Sequence, residues 1–205
     1  MKKNLPGKLH FNGKSDAVCG AGGLRKMRAE STRRKDGLGG QKMKQNTYRI
    51  AENRALTESV WEMTLNGDTS ACERPGQFVN IKLEGFFLRR PISVCDYDEN
   101  TIKIIYKTVG VGTKEMSQMR QGQMLDVLTG LGNGYDTAKA GNMPLLIGGG
   151  AGVPPLYGLL RHLKKENPKC EAKVILGFNT QDEIFYKEEF EALGAEVFLT
   201  TADGS

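Results

Sequence analysis

The stretch Pro144-Leu145-Leu146-Ile147-Gly148-Gly149-Gly150-Ala151-Gly152-Val153-Pro154-Pro155 decides the fold of this chain. Residues 144–147 form a continuous apolar run, which is typical of a parallel strand that is buried on both faces. The glycines that follow favour a tight turn, and the prolines suit the first turn of a helix. The stretch therefore predicts a strand, a glycine-rich turn and a helix, which together open an α/β domain.

The residues after this stretch continue as alternating helices and strands. Leucines at 156, 159, 160 and 163 recur at the spacing of one helix face. Strands are predicted over 173–178 and 196–201, and a second helix is predicted over 182–193 and stopped by Gly194. This β-α-β-α-β order is half of a doubly wound sheet. Because such a sheet usually continues beside its first strand, we expect the chain to be a C-terminally truncated fragment.

The residues before the stretch follow the two-residue period of strands. Short β-branched or aromatic runs are separated by turn residues such as Asn66-Gly67-Asp68 and Arg74-Pro75-Gly76. The predicted strands cover residues 60–65, 78–83, 92–95, 101–107 and 124–129. Their regular spacing predicts a small antiparallel barrel or sandwich, with one short helix at 114–119. The fold class is therefore α+β with two domains, an antiparallel barrel and a partial α/β domain.

The net charge of +5 is concentrated at the N-terminus. Residues 1–42 hold eleven Lys and Arg against three acidic residues, so the rest of the chain is mildly acidic. Their apolar residues follow no helix or strand period, which predicts a disordered leader. A basic tail can bind nucleic acid, but no aromatic interleaving supports that role here, so a nucleic-acid partner is not expected. Translation from Met43, which would make the leader an artefact of gene prediction, stays open.

The four cysteines show neither a disulfide framework nor a metal-binding spacing. Cys19, Cys72, Cys95 and Cys170 lie far apart, and no C-x-x-C pair occurs. The chain also has no apolar run of the roughly 18 residues that a membrane span needs, and no signal peptide. We therefore expect a cytoplasmic protein with reduced thiols, no metal site and no membrane partner.

Three segments carry candidate chemistry, and each has a plain structural alternative. The turn at 148–152 can bring backbone N–H groups close to a phosphate, or it can simply be a tight turn between strand and helix. Residues 88–93 (LRRPIS) place a cation and a hydroxyl where they could bind a phosphate and a flat heterocycle, or they can be a solvated charge pair before a strand. Residues 105–113 (IYKTVGVGT) can nest around an anion or form an ordinary loop.

Together, the three segments resemble the ferredoxin-NADP reductase superfamily. Within that superfamily, residues 43–205 are most similar to the electron-transfer subunits of class 1B dihydroorotate dehydrogenases, whereas residues 1–42 match nothing known to us. The resemblance implies an FAD-binding β-barrel at 43–141 and a partial, truncated NAD-binding α/β domain at 142–205. The disordered leader at 1–42 is predicted from its composition alone.

The resemblance also implies roles for particular residues. Arg90, Pro91, Ile92 and Ser93 would contact FAD, with Arg90 at its phosphates and Ser93 near the reactive flavin nitrogen as the catalytic candidate. The ribityl and pyrophosphate portion would be lined by Ile105, Tyr106, Lys107, Gly112 and Thr113. The nicotinamide nucleotide would be bordered by Gly148, Gly149, Gly150, Gly152, Pro154 and Pro155. Ala202 departs from the acidic residue that the family pattern leads us to expect.

By the same resemblance, the chain passes electrons between NAD and a partner dihydroorotate dehydrogenase in pyrimidine biosynthesis. The partner would be the FMN-containing catalytic subunit, in a heterotetramer. Electrons would pass through a [2Fe–2S] cluster, whose cysteines we expect beyond residue 205 because no C-x4-C-x2-C spacing occurs here. Two alternatives stay open: another flavin reductase subunit of the superfamily, and a catalytically silent binding module.

Overall fold

Six antiparallel strands close into a barrel. The computed structural model describes residues 43–205. The barrel strands run in the order β1-β2-β5-β4-β3-β6, and each pairs with its neighbours in antiparallel register. They are β1 (Lys44–Ala55), β2 (Val60–Asn66), β3 (Phe78–Lys82), β4 (Arg90–Tyr97), β5 (Thr101–Lys107) and β6 (Met124–Leu131). The predicted antiparallel barrel is confirmed.

One helix follows β5 and packs against β1. This helix, α1 (Val111–Gln118), begins three residues earlier than the sequence predicts. The Thr113 hydroxyl oxygen accepts the backbone N–H groups of Val109 and Gly110, at 3.1 and 3.2 Å. A side chain that satisfies the free N–H groups ahead of a helix stabilises an earlier start.

The second half of the described chain forms a three-stranded parallel sheet. Its strands lie in the order β7-β8-β9, with helices in the connections. The elements are β7 (Leu145–Gly149), α2 (Val153–Glu166), β8 (Lys173–Phe178), α3 (Lys187–Ala192) and β9 (Glu196–Thr201). The predicted β-α-β-α-β order is confirmed, and β8 and β9 have the predicted bounds.

The helix predicted over 182–193 is wrong in its first half. A 3₁₀ turn covers Gln181–Glu183, and α3 begins only at Lys187. Tyr186 lies between them in the left-handed conformation, with a φ of 68°, which interrupts any continuous helix.

The burial of β7 on both faces is also a wrong prediction. Leu146 is buried, but Leu145 and Ile147 are 56% and 65% exposed. Helix α2 packs against one face of the sheet, whereas no described element covers the face that carries Leu145, Ile147 and Phe198.

Barrel and sheet share a hydrophobic core. Val60, Cys95 and Ile105 point outward from the barrel strands and join the buried residues of α2 and the sheet. Helix α2 crosses β4 so closely that a Cβ on Gly158 would lie 2.4 Å from the carbonyl oxygen of Cys95. This contact fixes the glycine turn before α2 near the outer face of the barrel.

The predicted disordered leader of residues 1–42 lies outside the described residues, and so does the question of where translation starts. Among the helices that the structure describes, none is long and apolar enough to span a membrane.

Candidate functional site

Arg90 and its neighbour Arg89 have different surroundings. Arg89 donates hydrogen bonds to Asp126 Oδ1 at 3.0 Å and to the Asn80 carbonyl at 3.2 Å, so it holds β4 to β3 and β6. The Arg90 guanidinium instead donates to the Leu88 carbonyl and lies 5.0 Å from the centre of the Phe86 ring. Within residues 43–205 it pairs with no carboxylate, so its charge is available to an anion.

Gly112 provides the space that the Arg90 guanidinium occupies. A Cβ on Gly112 would lie 2.2 Å from Arg90 Nε and 2.4 Å from Nη2. The structure thus brings together two of the predicted site residues that lie far apart in the sequence. Two exposed apolar side chains, Phe87 and Leu88, directly precede these arginines.

The other predicted residues of β4 alternate between the two sides of the barrel wall. Ile92 is partly buried and packs on the barrel core. Pro91 and Ser93 lie on the outer side, opposite Asn80 and Phe78 of β3. The side-chain oxygen Oδ1 of Asn80 is buried there without a hydrogen-bond partner. Since buried polar atoms are nearly always paired, this oxygen marks the outer side of β3 and β4 as a place where a polar ligand group would be accommodated.

The glycines of the turn after β7 have distinct roles. A Cβ on Gly148 would lie 2.6 Å from Leu156 Cδ1, so this glycine permits close packing of strand and helix. Gly150 has a φ of 48°, and a Cβ on Gly150 or Gly152 would meet nothing within 4 Å. The space in front of these two glycines is therefore open to a ligand. Pro154 and Pro155 are buried in the first turn of α2 and hold the turn in place.

A cavity of about 520 Å³ lies at the carboxyl ends of the parallel strands. Gly149 and Gly150 form one wall, Gly177 and Thr200 lie at the ends of β8 and β9, and Lys107 of the barrel reaches in from the opposite side. A smaller adjoining space is bounded by Ile105, Tyr106, Lys107, Gly150 and Pro154. Open α/β sheets bind their ligands at this edge, so the cavity is the main candidate for a nucleotide site.

The Lys107 ammonium is held by an acidic residue of the 3₁₀ turn that follows β8. Its Nζ lies 2.5 Å from Glu183 Oε1, and Asn179 Nδ2 donates to Glu183 Oε2 at 2.8 Å. The hydrogen bond from Lys107 is the largest cause of the lowered pKa of Glu183. Lys107 therefore lies in the cavity of the parallel sheet, whereas Arg90 contacts Gly112.

The hydroxyl groups of two predicted site residues, Tyr106 and Thr113, form hydrogen bonds within the protein. The Tyr106 ring is buried in the barrel core, and its hydroxyl donates to Asn53 Oδ1 at 2.9 Å. Burial raises the pKa of Tyr106 above its ordinary value. The Thr113 hydroxyl is occupied by the loop that precedes α1. Ile105 is buried between barrel and sheet, so the segment 105–107 offers a ligand chiefly its backbone and Lys107.

Comparison with known proteins finds homologues of this chain. The sequence model of the family "Oxidoreductase NAD-binding domain" matches residues 146–197. The dihydroorotate dehydrogenase B (NAD(+)) electron transfer subunits of Bacillus pumilus and Fusobacterium nucleatum are each 42% identical to this chain over 171 residues. The match covers 80% of this chain and 65% of each relative. These electron transfer subunits are thus homologues of this chain. It spans less than two thirds of their length.

A solved structure with a related sequence agrees with this homology. The structure of an NADH-dependent reduced ferredoxin-NADP oxidoreductase, described for flavin-based electron bifurcation, is 30% identical to this chain. The superposed part is 77% of this chain and 57% of the solved chain, and the TM-score is 0.68. The predicted fold of the ferredoxin-NADP reductase superfamily is thus confirmed.

The sequence did not predict several residues that line the cavity at the carboxyl ends of the parallel strands. Asn179, Glu183, Thr200 and Thr201 all line it, together with Ala202. The rule that ligands bind beyond the carboxyl ends of parallel strands would have singled out the residues after β8 and β9. In the part of the chain that the structure covers, no group of three or more His, Cys, Asp or Glu side chains is arranged to hold a metal ion.

Proposed function

We propose that this chain is the electron-transfer flavoprotein subunit of a dihydroorotate dehydrogenase and passes electrons between NAD and its partner through FAD. The observation that carries the proposal is that Arg90, beside Gly112, has no carboxylate partner among the described residues, while an open cavity lies at the glycine turn. The homology, at 42% identity, supports the same activity.

The barrel residues fit an FAD. A phosphate is bound most strongly by a cation whose charge no carboxylate already compensates, and the Arg90 guanidinium is such a cation among the described residues. The flat ring system needs a surface that is not covered by side chains, and Pro91 and Ser93 offer one on the outer side of β4. The buried Oδ1 of Asn80 beside Pro91 would gain a hydrogen-bond donor from the ring.

The sheet residues fit a nicotinamide dinucleotide. The cavity of about 520 Å³ is within the range of small-molecule sites. Gly150 and Gly152 leave its floor open, so backbone N–H groups at the start of α2 can approach a pyrophosphate. The Lys107 ammonium has three N–H donors, so beside its bond to Glu183 it would also donate to the dinucleotide, to which we assign it. Ile105 and Tyr106 would shape the wall between the two cofactors.

The protein contributes placement to this reaction. Bound FAD would supply the chemistry of accepting a hydride from NADH and releasing electrons one at a time. Arg90 and Gly112 would fix its phosphates, and Ser93 would donate a hydrogen bond near the reactive flavin nitrogen. The shared core of barrel and sheet would keep water out of the space between the two rings. No side chain of this chain has to transfer a proton.

The partner we propose is the FMN-containing catalytic subunit of the dehydrogenase, in a cytoplasmic heterotetramer that acts in pyrimidine biosynthesis. Electrons would travel between the two flavins through a [2Fe–2S] cluster. None of the described cysteines takes part, because Cys72, Cys95 and Cys170 are all buried and separate.

A second candidate function is that of another reductase subunit in the same superfamily. The 30% identity to the NADH-dependent reduced ferredoxin-NADP oxidoreductase favours it. The higher identity to the dihydroorotate dehydrogenase subunits makes it the weaker of the two.

Flavin loading and reduction test the proposal. The full chain is incubated with FAD, freed of unbound flavin and mixed without oxygen with NADH or with NADPH. The expected result is a yellow protein that NADH bleaches. A folded protein that takes up no FAD would contradict the proposal and favour a silent binding module.

A further inference from the structure

Glu62 is a buried carboxylate on the outer side of the barrel. It lies in the middle of β2, is 3% exposed and points toward the sheet. Arg54 of β1 donates to its Oε1 from Nη2 at 2.7 Å and from Nε at 3.0 Å. Lys103 of β5 lies 3.6 Å from Oε2. Two cations of the barrel thus compensate the charge, which a buried carboxylate requires.

Tyr186, directly before α3, completes this cluster. Its hydroxyl donates to Glu62 Oε2 at 2.5 Å, and the bond joins residues 124 positions apart. Tyr186 is itself 4% exposed, and burial beside Cys95 and Glu62 raises the pKa of its hydroxyl, which therefore stays protonated as the donor.

The backbone of Tyr186 is strained. Among residues 43–205 it is the one non-glycine residue with a positive φ. A bulky residue adopts this conformation only where its surroundings hold it there, and such strain is concentrated at functional positions. Here the hydrogen bond to Glu62 and the edge-on contacts of its ring hold it. The ring centres of Tyr157 and Phe185 lie 5.0 and 6.1 Å away.

These contacts join the elements that carry both proposed sites. Tyr157 is on α2, directly after the glycine turn, and its neighbour Gly158 lies against Cys95. Cys95 follows Ser93 by two residues on β4. Tyr186 thus lies where the strand of the proposed flavin site meets the helix of the proposed nucleotide site.

We propose that Tyr186 and Glu62 are positioning residues, and that their hydrogen bond sets the separation between the flavin-bearing strand β4 and the nucleotide-bearing turn at Gly149 and Gly150. This inference rests on the proposed function. The bond is short, directional and shielded from water, whereas the apolar contacts around it tolerate sliding. Hydride transfer depends steeply on the separation of the reacting atoms, so loosening this bond slows the transfer while both cofactors still bind.

The test compares Tyr186→Phe with Tyr157→Phe in the FAD-loaded full chain. Both variants lose one hydroxyl from neighbouring rings, but only Tyr186→Phe loses the bond to Glu62. The rate of flavin reduction is measured without oxygen over a range of NADH concentrations, together with FAD affinity. For Tyr186→Phe we expect the rate at saturating NADH to fall about tenfold or more, with FAD affinity unchanged. Tyr157→Phe should keep the parental rate.

Glu62→Met provides a second route if Tyr186→Phe fails to fold. It removes the acceptor at similar side-chain length and leaves Arg54 and Lys103, both partly exposed, able to reach solvent. The same loss of rate is expected, and the double variant should be no slower than either single one because they remove one interaction. A parental rate at saturating NADH in a folded Tyr186→Phe or Glu62→Met protein would overturn the inference. Parental protein that binds no FAD would instead refute the proposed function.

Discussion

The Arg90 guanidinium occupies the space where a side chain of Gly112 would be, with Nε 2.2 Å from the position of the missing Cβ. The three atoms nearest to that position all belong to the Arg90 guanidinium, so the obstacle to a larger residue at 112 is the end of a flexible side chain. A glycine is needed at 112 to leave room for the Arg90 guanidinium, and no left-handed backbone conformation requires it.

Gly112→Ala should therefore displace Arg90 without unfolding the protein. We expect FAD affinity to fall by up to the roughly 1.5–3 kcal/mol of a charge-assisted contact, with little change in thermal stability. Gly110→Ala is the matched control, because a Cβ there meets nothing within 4 Å. Flavin titration of both variants checks this, and equal FAD affinity in the two would contradict it.

The two adjacent arginines should differ in what they stabilise. Arg90→Ala is expected to lower FAD affinity roughly 10- to 100-fold with little effect on the free energy of unfolding. Arg89→Ala breaks the part-buried contact with Asp126 and should instead lower the free energy of unfolding by about 1 kcal/mol. Denaturant unfolding of the FAD-free variants and flavin titration separate the two effects. An Arg89→Ala protein with the larger loss of FAD affinity would reverse our assignment.

Removal of the Lys107 charge should affect the dinucleotide and leave the flavin in place. In Lys107→Met, we expect the NADH concentration for half-maximal flavin reduction to rise about tenfold, since a charge-assisted phosphate contact is lost. Lys139→Met is a suitable control, because Lys139 is exposed and pairs with Asp136 away from the cavity. Loss of FAD from Lys107→Met with unchanged NADH dependence would show that Lys107 serves the flavin, as the sequence alone suggested.

Close packing of α2 on β4 makes Gly158 sensitive to any side chain. A Cβ would lie 2.4 Å from a backbone oxygen, which cannot move aside as a side chain can. Gly158→Ala should lower the free energy of unfolding by about 1–3 kcal/mol, despite the better helix propensity of alanine. Lys165→Ala, at an exposed position of the same helix, should change it little. Equal denaturation midpoints for the two variants would be incompatible with the packing described.

Asp68 should make stability depend on pH in the acidic range. Hydrogen bonds from Ser70 and from Lys44 lower the pKa of its carboxyl in the folded protein. Because the folded-state pKa is the lower one, the stabilisation is present above the unfolded pKa of about 4 and is lost as pH falls toward the folded value. Asp68→Asn should therefore have a lower free energy of unfolding than the parent at neutral pH. The two values should converge as the pH falls below about 4. A difference that grows on acidification would have the wrong sign.

The parts of the fold set by local pattern could be predicted from the sequence. The strands at 173–178 and 196–201 have their predicted bounds because alternating or continuous apolar residues and nearby turn residues determine them. The helix over 182–193 could not be predicted correctly. Its interruption lies at Tyr186, whose hydroxyl bonds to Glu62 of a distant strand, and such a long-range contact cannot be read from helix periodicity.

The candidate site was predictable where glycine and arginine patterns mark it. Arg90, Gly112 and Gly150 were all identified from the sequence, and in the structure Arg90 lies against Gly112 whereas the space in front of Gly150 is open. The cavity residues Asn179 and Glu183 have no such pattern, because they come together only at the end of the folded sheet. One feature of the sequence does point to Glu62 as an unusual position: it is a charged residue within the apolar run of β2.

A crystal structure of the full chain loaded with FAD would show where the flavin binds. We predict that the ring system lies on the outer side of β4 against Pro91 and Ser93, with the phosphates within hydrogen-bond distance of Arg90 and the backbone around Gly112. Density for FAD elsewhere on the protein, or a site at Arg90 that stays empty at saturating FAD, would contradict the account.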